Sequence, residues 1–179
     1  PGVIGVSSSD PGNHSGGTRK ARQVSYPIFI MDIDGVLVVP QGYRQAAQAT
    51  LDWFTQRMEI GPFILTEDIL DHFEAQNISS EFDIVPLCLA EVFDEVIARY
   101  PDIQLTADIY DSCEILRENG LQLNQVNFKG MASRVSQIAN ASDFPSVFAL
   151  KANQMGSPHP PFGHLCSHPL IEQILSHTR

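Results

Sequence analysis

Apolar residues recur at helical spacing through much of the chain after residue 42. Between Tyr43 and Met58 they fall three or four positions apart, which is typical of a helix that buries one face. The predicted stripe consists of Ala47, Leu51, Phe54 and Met58. Thr66, followed by Glu67 and Asp68, has the character of an N-cap with acids in the first turn and predicts that a second helix starts there.

Four further segments carry helical patterns. They are predicted at Pro86–Arg99, from the cap Thr106 to Asn119-Gly120, at Ala132–Asn140 and at Pro169–His177. The pair Asn-Gly is a good C-terminal stop because glycine accepts the left-handed backbone conformation that often ends a helix.

Three segments carry strand patterns instead, at Ile28–Met31, Leu121–Phe128 and Ser146–Leu150. Strands and helices in this order are typical of an α/β fold, a Rossmann-like parallel sheet with an all-helical insertion after its first strand. We therefore predict a core at residues 28–42 and 104–179, a helical domain at 43–103, and a flexible tail rich in Gly, Ser and Pro at 1–27.

Two aspartates follow the first predicted strand, in the run Ile-Phe-Ile-Met-Asp-Ile-Asp-Gly-Val-Leu at residues 28–37. Asp32 and Asp34 are two positions apart, so they share one face of an extended chain. Neighbouring carboxylates raise each other's pKa unless a cation neutralises them, and hard oxygen ligands suit Mg²⁺. One carboxylate could attack phosphorus while the other handles the leaving group's proton. The alternative is that both merely cap a turn after a strand.

The stretch from Phe29 to Leu37 resembles the first motif of the haloacid dehalogenase (HAD) superfamily, whose members are mostly Mg²⁺-dependent phosphatases. The resemblance implies that Asp32 is the nucleophile that becomes an aspartyl phosphate. It likewise implies that Asp34 is the general acid/base, that both hold Mg²⁺, and that the substrate is a small phosphorylated metabolite. The helices between residues 43 and 100 resemble the helical cap of the phosphoglycolate phosphatase-like subgroup.

Later segments depart from the family's pattern. Asn127 stands where the second motif has a phosphate-binding Thr or Ser, and Ser157 stands where the third has a Lys. The acidic pair of the fourth motif does not occur before Arg179, so we expect the C-terminal part of the core to be incomplete. Lys129 and Lys151 are the candidates to replace the missing cation, although a solvated surface position suits either. The alternative function is therefore a catalytically inactive HAD-like protein with a binding or structural role.

Charge and cysteine content exclude several protein classes. A net charge of −10 argues against nucleic-acid binding, because phosphate backbones are held by Lys and Arg. No apolar run approaches the roughly 20 residues of a spanning helix, so no membrane association is expected. Three cysteines are few and odd in number, which favours a reducing compartment such as the cytoplasm.

A few other side chains permit two interpretations. Trp53 lies beside the stripe of the first helix and belongs either to the core, which is favoured, or to the lining of a substrate cavity. Cys113 is predicted to pack inside. The segment His164–His168 offers zinc-ligand types at alternate positions but matches no common zinc module. The acidic faces within Glu67–Glu74 and Glu91–Glu95 are predicted to be solvated.

Overall fold

The structure, a computed structural model, describes residues 41–138 and 159–176. Over these two ranges the chain forms six helices and no strand. They are α1 (Gln41–Met58), α2 (Glu67–Ala75), α3 (Glu81–Arg99), α4 (Ile109–Glu118), α5 (Phe128–Ile138) and α6 (Leu170–Ser176). The predicted α/β, Rossmann-like fold is therefore wrong: the part of the chain that the structure describes is all-helical.

The predicted strand Leu121–Phe128 is an irregular segment that leads into α5. Leu123 and Phe128 are buried, so the alternation of apolar residues does mark a buried side. The backbone of Gln122 nevertheless bonds to a side chain, because the hydroxyl of Tyr100 donates to its carbonyl at 2.9 Å and accepts from its N–H at 3.3 Å. A strand requires a neighbouring strand, and the described residues supply none. The other two predicted strands, at residues 28–31 and 146–150, lie outside the described ranges.

The helical periodicity of the sequence is confirmed in the first two helices. In α1 the predicted stripe is buried except for Phe54, which is half-buried. Thr66 caps α2, and its hydroxyl accepts a hydrogen bond from the N–H of Ile69 at 3.3 Å. The predicted stop after α4 is also confirmed, since Asn119 is the C-cap and Gly120 has a φ of 59°.

Helix α3 begins earlier than its proline suggests. The hydroxyl of Ser80 accepts from the N–H of Phe82 at 3.2 Å, and its carbonyl accepts from the N–H of Ile84 at 2.9 Å. This cap starts the helix at Glu81 and leaves Pro86 inside it. Proline is preferred in the first turn, but here a better cap lies upstream of it.

The N-cap of α4 is Asp108 and not the predicted Thr106. One carboxylate oxygen of Asp108 accepts from the N–H groups of Tyr110 at 2.8 Å and Asp111 at 3.0 Å. Its other oxygen accepts from Nε2 of Gln173 in α6, also at 3.0 Å. Thr106 precedes the helix and helps to position the cap residue, because its hydroxyl accepts a hydrogen bond from the N–H of Asp108 at 3.1 Å.

Replacing Asp108 with Ala is expected to lower the free energy of unfolding by about 1–2 kcal/mol, since it removes the cap and the bond to α6 together. Replacing Asp111 with Ala is the matched control, because Asp111 is an exposed acid in the first turn of the same helix. Urea unfolding of the two variants measures the difference. Equal losses of unfolding free energy in the two variants would show that Asp108 contributes only its negative charge at the start of α4.

Helix α3 lies at the centre of the fold and packs against α1, α5 and α6. Every residue from Ile84 to Phe93 is buried, as expected of a helix with neighbours on most sides. One apolar cluster includes side chains from before and after residue 103, the predicted end of the helical domain. The domain boundaries themselves stay predictions. Among the helices described, none combines the length and apolar character that would let it cross a bilayer.

The acidic face of α2 is engaged by basic residues of two neighbouring helices. Arg44 of α1 pairs with Glu74 at 2.7 Å and with Asp71 at 3.3 Å. Lys129 of α5 pairs with Asp68. Exposed pairs add little stability singly, but these fix the sides on which α2 meets α1 and α5. These acids nevertheless stay exposed, so the prediction that this face is solvated is confirmed.

Candidate functional site

The predicted catalytic and Mg²⁺-binding pair, Asp32 and Asp34, lies outside the described residues. Lys151 and Ser157, considered in connection with the third HAD motif, lie outside them too. The roles of these residues stay predictions. Helix α1 begins at Gln41, so the helical domain starts soon after the aspartate pair along the chain.

Asn127, compared above with the phosphate-binding residue of the second motif, caps α5. Its side-chain oxygen accepts from the N–H of Gly130 at 2.9 Å, and its carbonyl accepts from the N–H of Met131 at 3.0 Å. The side chain of Asn127 lies so close to Gly130 that a Cβ at this glycine would be 2.5 Å from Nδ2 of Asn127. Because Asn127 follows an irregular segment and not a strand, the basis for comparing it with a motif at a strand end is lost.

The histidine-rich segment is held by local hydrogen bonds. Nδ1 of His168 accepts from the N–H of Leu170 at the start of α6 at 3.2 Å. The thiol of Cys166 donates to the carbonyl of Gly163 at 3.5 Å. Over residues 41–138 and 159–176, no three His, Cys, Asp or Glu side chains converge as metal ligands. His164, Cys166 and His168 therefore do not form a zinc site in this arrangement.

The three cysteines are free thiols. Cys113 is buried, which confirms its predicted packing role. Cys88 is buried as well, and burial raises the pKa of both thiols. A thiol with a raised pKa forms little thiolate and is a poor nucleophile, so neither residue is a candidate for covalent catalysis.

An open apolar groove with a volume of about 550 Å³ is lined by residues of α1, α3, α4 and α6. This volume lies within the range of small-molecule sites. None of the described residues that line it is charged. The aromatic and small side chains of the lining are Ala46, Ala47, Thr50, Trp53, Phe54, Phe82 and Tyr110, and the others are aliphatic.

Trp53 lines this groove, so the favoured prediction that it belongs to the core is wrong. It is 48% exposed, and Phe82 is 62% exposed. Trp53 precedes Phe54 of the buried stripe by one position, and one position turns a side chain by about 100° around a helix. That rotation moves the indole out of the core. Clustered exposed apolar side chains of this kind mark binding surfaces.

The aromatic rings of the groove are arranged around Trp53. Its ring lies 4.8 Å from that of Phe54 and 6.1 Å from that of Tyr110, both nearly perpendicular. The guanidinium of Arg57 is 5.6 Å from the centre of the Trp53 ring and 5.7 Å from that of Tyr110. Arg57 also pairs with Glu114 at 3.0 Å. The guanidinium therefore places one positive charge beside the two rings, at a distance that allows cation–π attraction.

An ion pair between buried Glu91 and half-buried Arg134 connects α3 and α5. Glu91 is 1% exposed, and both of its carboxylate oxygens accept from Nη2 of Arg134 at 2.7 Å. Burial raises the pKa of Glu91 to about 7, and Arg134 opposes that rise. The prediction that the acidic residues of this helix are solvated is therefore wrong for Glu91.

The same region fixes the segment that precedes α6. Nε of Arg134 donates to the carbonyl of Pro161 at 3.0 Å. A carboxylate oxygen of Asp94 accepts from the N–H groups of His164 at 2.7 Å and Leu165 at 2.6 Å. Because Ile174 of α6 lines the groove, these contacts help to position one of its walls.

The sequence does contain a signal for the buried acid. Glu91 is the one charged residue in the run Ile84–Phe93, which is otherwise apolar. Acids are almost never fully buried without a partner, so its position predicts a buried ion pair. Nothing in the spacing identifies Arg134 as the partner, because the contact joins residues far apart in the chain.

A scan against models of protein families and searches of curated proteins and of solved structures found no match to this chain. The function must therefore be inferred from the aspartate pair in the sequence and from the groove in the helical domain.

Proposed function

We propose that the chain is a Mg²⁺-dependent phosphatase that acts on a small phosphorylated metabolite, and that a groove between its helices selects the substrate. The observation that carries the proposal is the run Ile-Phe-Ile-Met-Asp-Ile-Asp-Gly-Val-Leu at residues 28–37. This run resembles the first HAD motif, and its two neighbouring carboxylates can supply the nucleophile and the acid/base of phosphoryl transfer.

The reaction uses the two aspartates in sequence. A carboxylate oxygen of Asp32 attacks phosphorus, the bond to the leaving oxygen breaks, and protonated Asp34 gives its proton to that oxygen. Asp34 then takes a proton from water, whose oxygen attacks the aspartyl phosphate and releases inorganic phosphate. Two carboxylates are donors that fit Mg²⁺, and the bound ion would offset the phosphate's negative charge.

The groove between the described helices supports this proposal. It has the size and uncharged lining of a site that takes the organic part of a substrate.

Magnesium is expected to stabilise the protein, because a ligand that binds only the folded state raises the free energy of unfolding. At roughly 100 times the dissociation constant the gain is about 2.7 kcal/mol. Thermal unfolding with MgCl₂ and with EDTA measures this gain, and hydrolysis of p-nitrophenyl phosphate is expected only with the metal.

Asp34→Ala is expected to abolish both effects. Asp102→Ala is the matched control, since Asp102 is an exposed acid in a turn. A magnesium shift that survives in Asp34→Ala would place the metal elsewhere. Absence of both the shift and hydrolysis in the unaltered chain would contradict the proposal.

A non-catalytic binding protein is the second candidate. The groove favours it, because an exposed apolar site can bind a ligand without any reaction at Asp32. Ligand binding with no hydrolysis of any phosphate ester would support this candidate.

A further inference from the structure

We propose that the groove binds an aromatic ring, so that the substrates are phosphate monoesters with an uncharged aromatic group of one or two rings. The identity of these esters as substrates rests on the proposed function, whereas binding of the ring does not. The occupant is therefore a small aryl phosphate.

The walls of the groove favour an aromatic occupant. Trp53 and Tyr110 meet nearly at right angles and remain 48% and 38% exposed. Aromatic rings attract one another in edge-to-face and offset arrangements, beyond the effect of buried area. An aryl group can therefore make contacts here that an aliphatic chain of similar size cannot.

The polar groups of the groove disfavour a sugar or polyol. Thr50 lines it, but the hydroxyl hydrogen of Thr50 is donated to the carbonyl of Ala46 at 2.9 Å. Thr50 can then only accept hydrogen bonds. Besides Thr50, the polar atoms of the lining side chains are the indole N–H of Trp53 and the hydroxyl of Tyr110. These groups are few for a polyol, which would lose water at several hydroxyls at a cost in free energy, while an aryl group has no such cost.

Charge complementarity favours an occupant that carries an anion at one end. Among the residues that the structure describes, no acid lines the groove. Arg57 lies one helical turn beyond Trp53 and contacts both rings that contribute to the lining. A guanidinium has five N–H donors, so Arg57 can keep its pair with Glu114 and still attract a phosphate.

The net charge disfavours a second copy of the chain as occupant, because two chains of net charge −10 repel each other several times more strongly than one chain repels a small anion. The apolar run Val36–Val39 of this chain is a further possible occupant. Both would cover Trp53, so the experiment distinguishes them from a small ligand.

Trp53 is the single tryptophan of the chain, so its fluorescence reports directly on the groove. The probe is phenylphosphonate, which cannot be hydrolysed, with inorganic phosphate as the comparison. We expect a saturable change in Trp53 emission with phenylphosphonate at concentrations where inorganic phosphate gives none.

Two alanine variants of α1 locate the binding site. Ala46 and Ala49 are both exposed, but only Ala46 lines the groove. Ala46→Phe fills the groove and is expected to weaken phenylphosphonate binding at least about tenfold, a loss of about 1.4 kcal/mol. Ala49→Phe adds the same side chain outside it and is expected to leave binding unchanged.

Equal affinity in the two variants, or no response of Trp53 to millimolar phenylphosphonate, overturns the proposal. A blue-shifted emission that no ligand changes also overturns it, because a segment of the chain or a second copy then covers the indole. If phenylphosphonate binds but no ester is hydrolysed, the ring site stands and the phosphatase fails. If phenyl phosphate is hydrolysed with the same KM in Ala46→Phe, the phosphatase stands and the ring site fails.

Discussion

Replacing Asp32 with Asn is expected to lower the rate of p-nitrophenyl phosphate hydrolysis by roughly 10³–10⁶-fold, the range that follows removal of an enzyme's nucleophile. The amide has nearly the shape of the carboxylate but no negative charge with which to attack phosphorus. Initial rates at saturating Mg²⁺, measured with protein of confirmed helix content, give the ratio.

Asp102→Asn is the control for this experiment, because it makes the same chemical change at an exposed turn. It is expected to keep the activity of the unaltered chain. Unchanged turnover in Asp32→Asn would show that another group attacks phosphorus, and the assignment of the pair would then be abandoned.

The second large effect is expected from Arg134→Ala, which should lower the free energy of unfolding by about 2–3 kcal/mol at pH 8, through the charge of Glu91 and the lost hydrogen bond to Pro161 together. The substitution leaves Glu91 buried without its partner and frees the carbonyl of Pro161. A buried, unpaired carboxylate becomes protonated instead. From an unfolded pKa near 4.5, keeping Glu91 protonated costs about 5 kcal/mol at pH 8, whereas the unaltered protein, with a pKa of about 7, already loses about 3 kcal/mol there. The difference caused by Glu91 is therefore about 1–2 kcal/mol at pH 8 and close to zero at pH 5.

The sign of the pH dependence follows from the pKa of Glu91, which burial raises from 4.5 to about 7. A raised pKa means that the folded state binds the proton more tightly. The resulting stability is therefore present below about pH 4.5 and is lost as the pH rises through about 7. Arg134 holds this pKa down, so Arg134→Ala is expected to make the loss between pH 5 and pH 8 steeper.

Urea unfolding at pH 5 and pH 8 tests this expectation. Arg117→Ala is the matched control, because Arg117 pairs with Glu114 at an exposed position. It is expected to cost less than about 1 kcal/mol at either pH. A loss of equal size at both pH values in Arg134→Ala would show that Glu91 is not the group affected.

Much of the helical structure could be predicted from local patterns, because helices are set by neighbours along the chain. The spacing in α1 and the cap at Thr66 are local features, and both are confirmed. The strand at Leu121–Phe128 is not, because alternation reports which side of an extended segment is buried and not whether another strand lies beside it. The α/β prediction treated Leu121–Phe128 as a strand with a neighbour, and the described residues supply no neighbouring strand.

The candidate site likewise combines features that are local in the sequence with features that depend on packing between distant residues. Its aspartate pair is a local sequence motif and could be proposed directly from the sequence, as could the choice between two positions for Trp53. The groove depends on four helices, and the pair between Glu91 and Arg134 depends on the packing of two. Contacts of this kind join residues far apart in the chain, and no spacing rule predicts them.

The most direct measurement is to trap the covalent intermediate. The chain is mixed with p-nitrophenyl phosphate radiolabelled at phosphorus and with Mg²⁺, and the reaction is stopped with acid during the first turnover. If Asp32 attacks phosphorus, label stays bound to the unaltered chain, hydroxylamine releases it as expected of an acyl phosphate, and Asp32→Asn carries none. Turnover without protein-bound label, or label that persists in Asp32→Asn, would contradict covalent catalysis by Asp32.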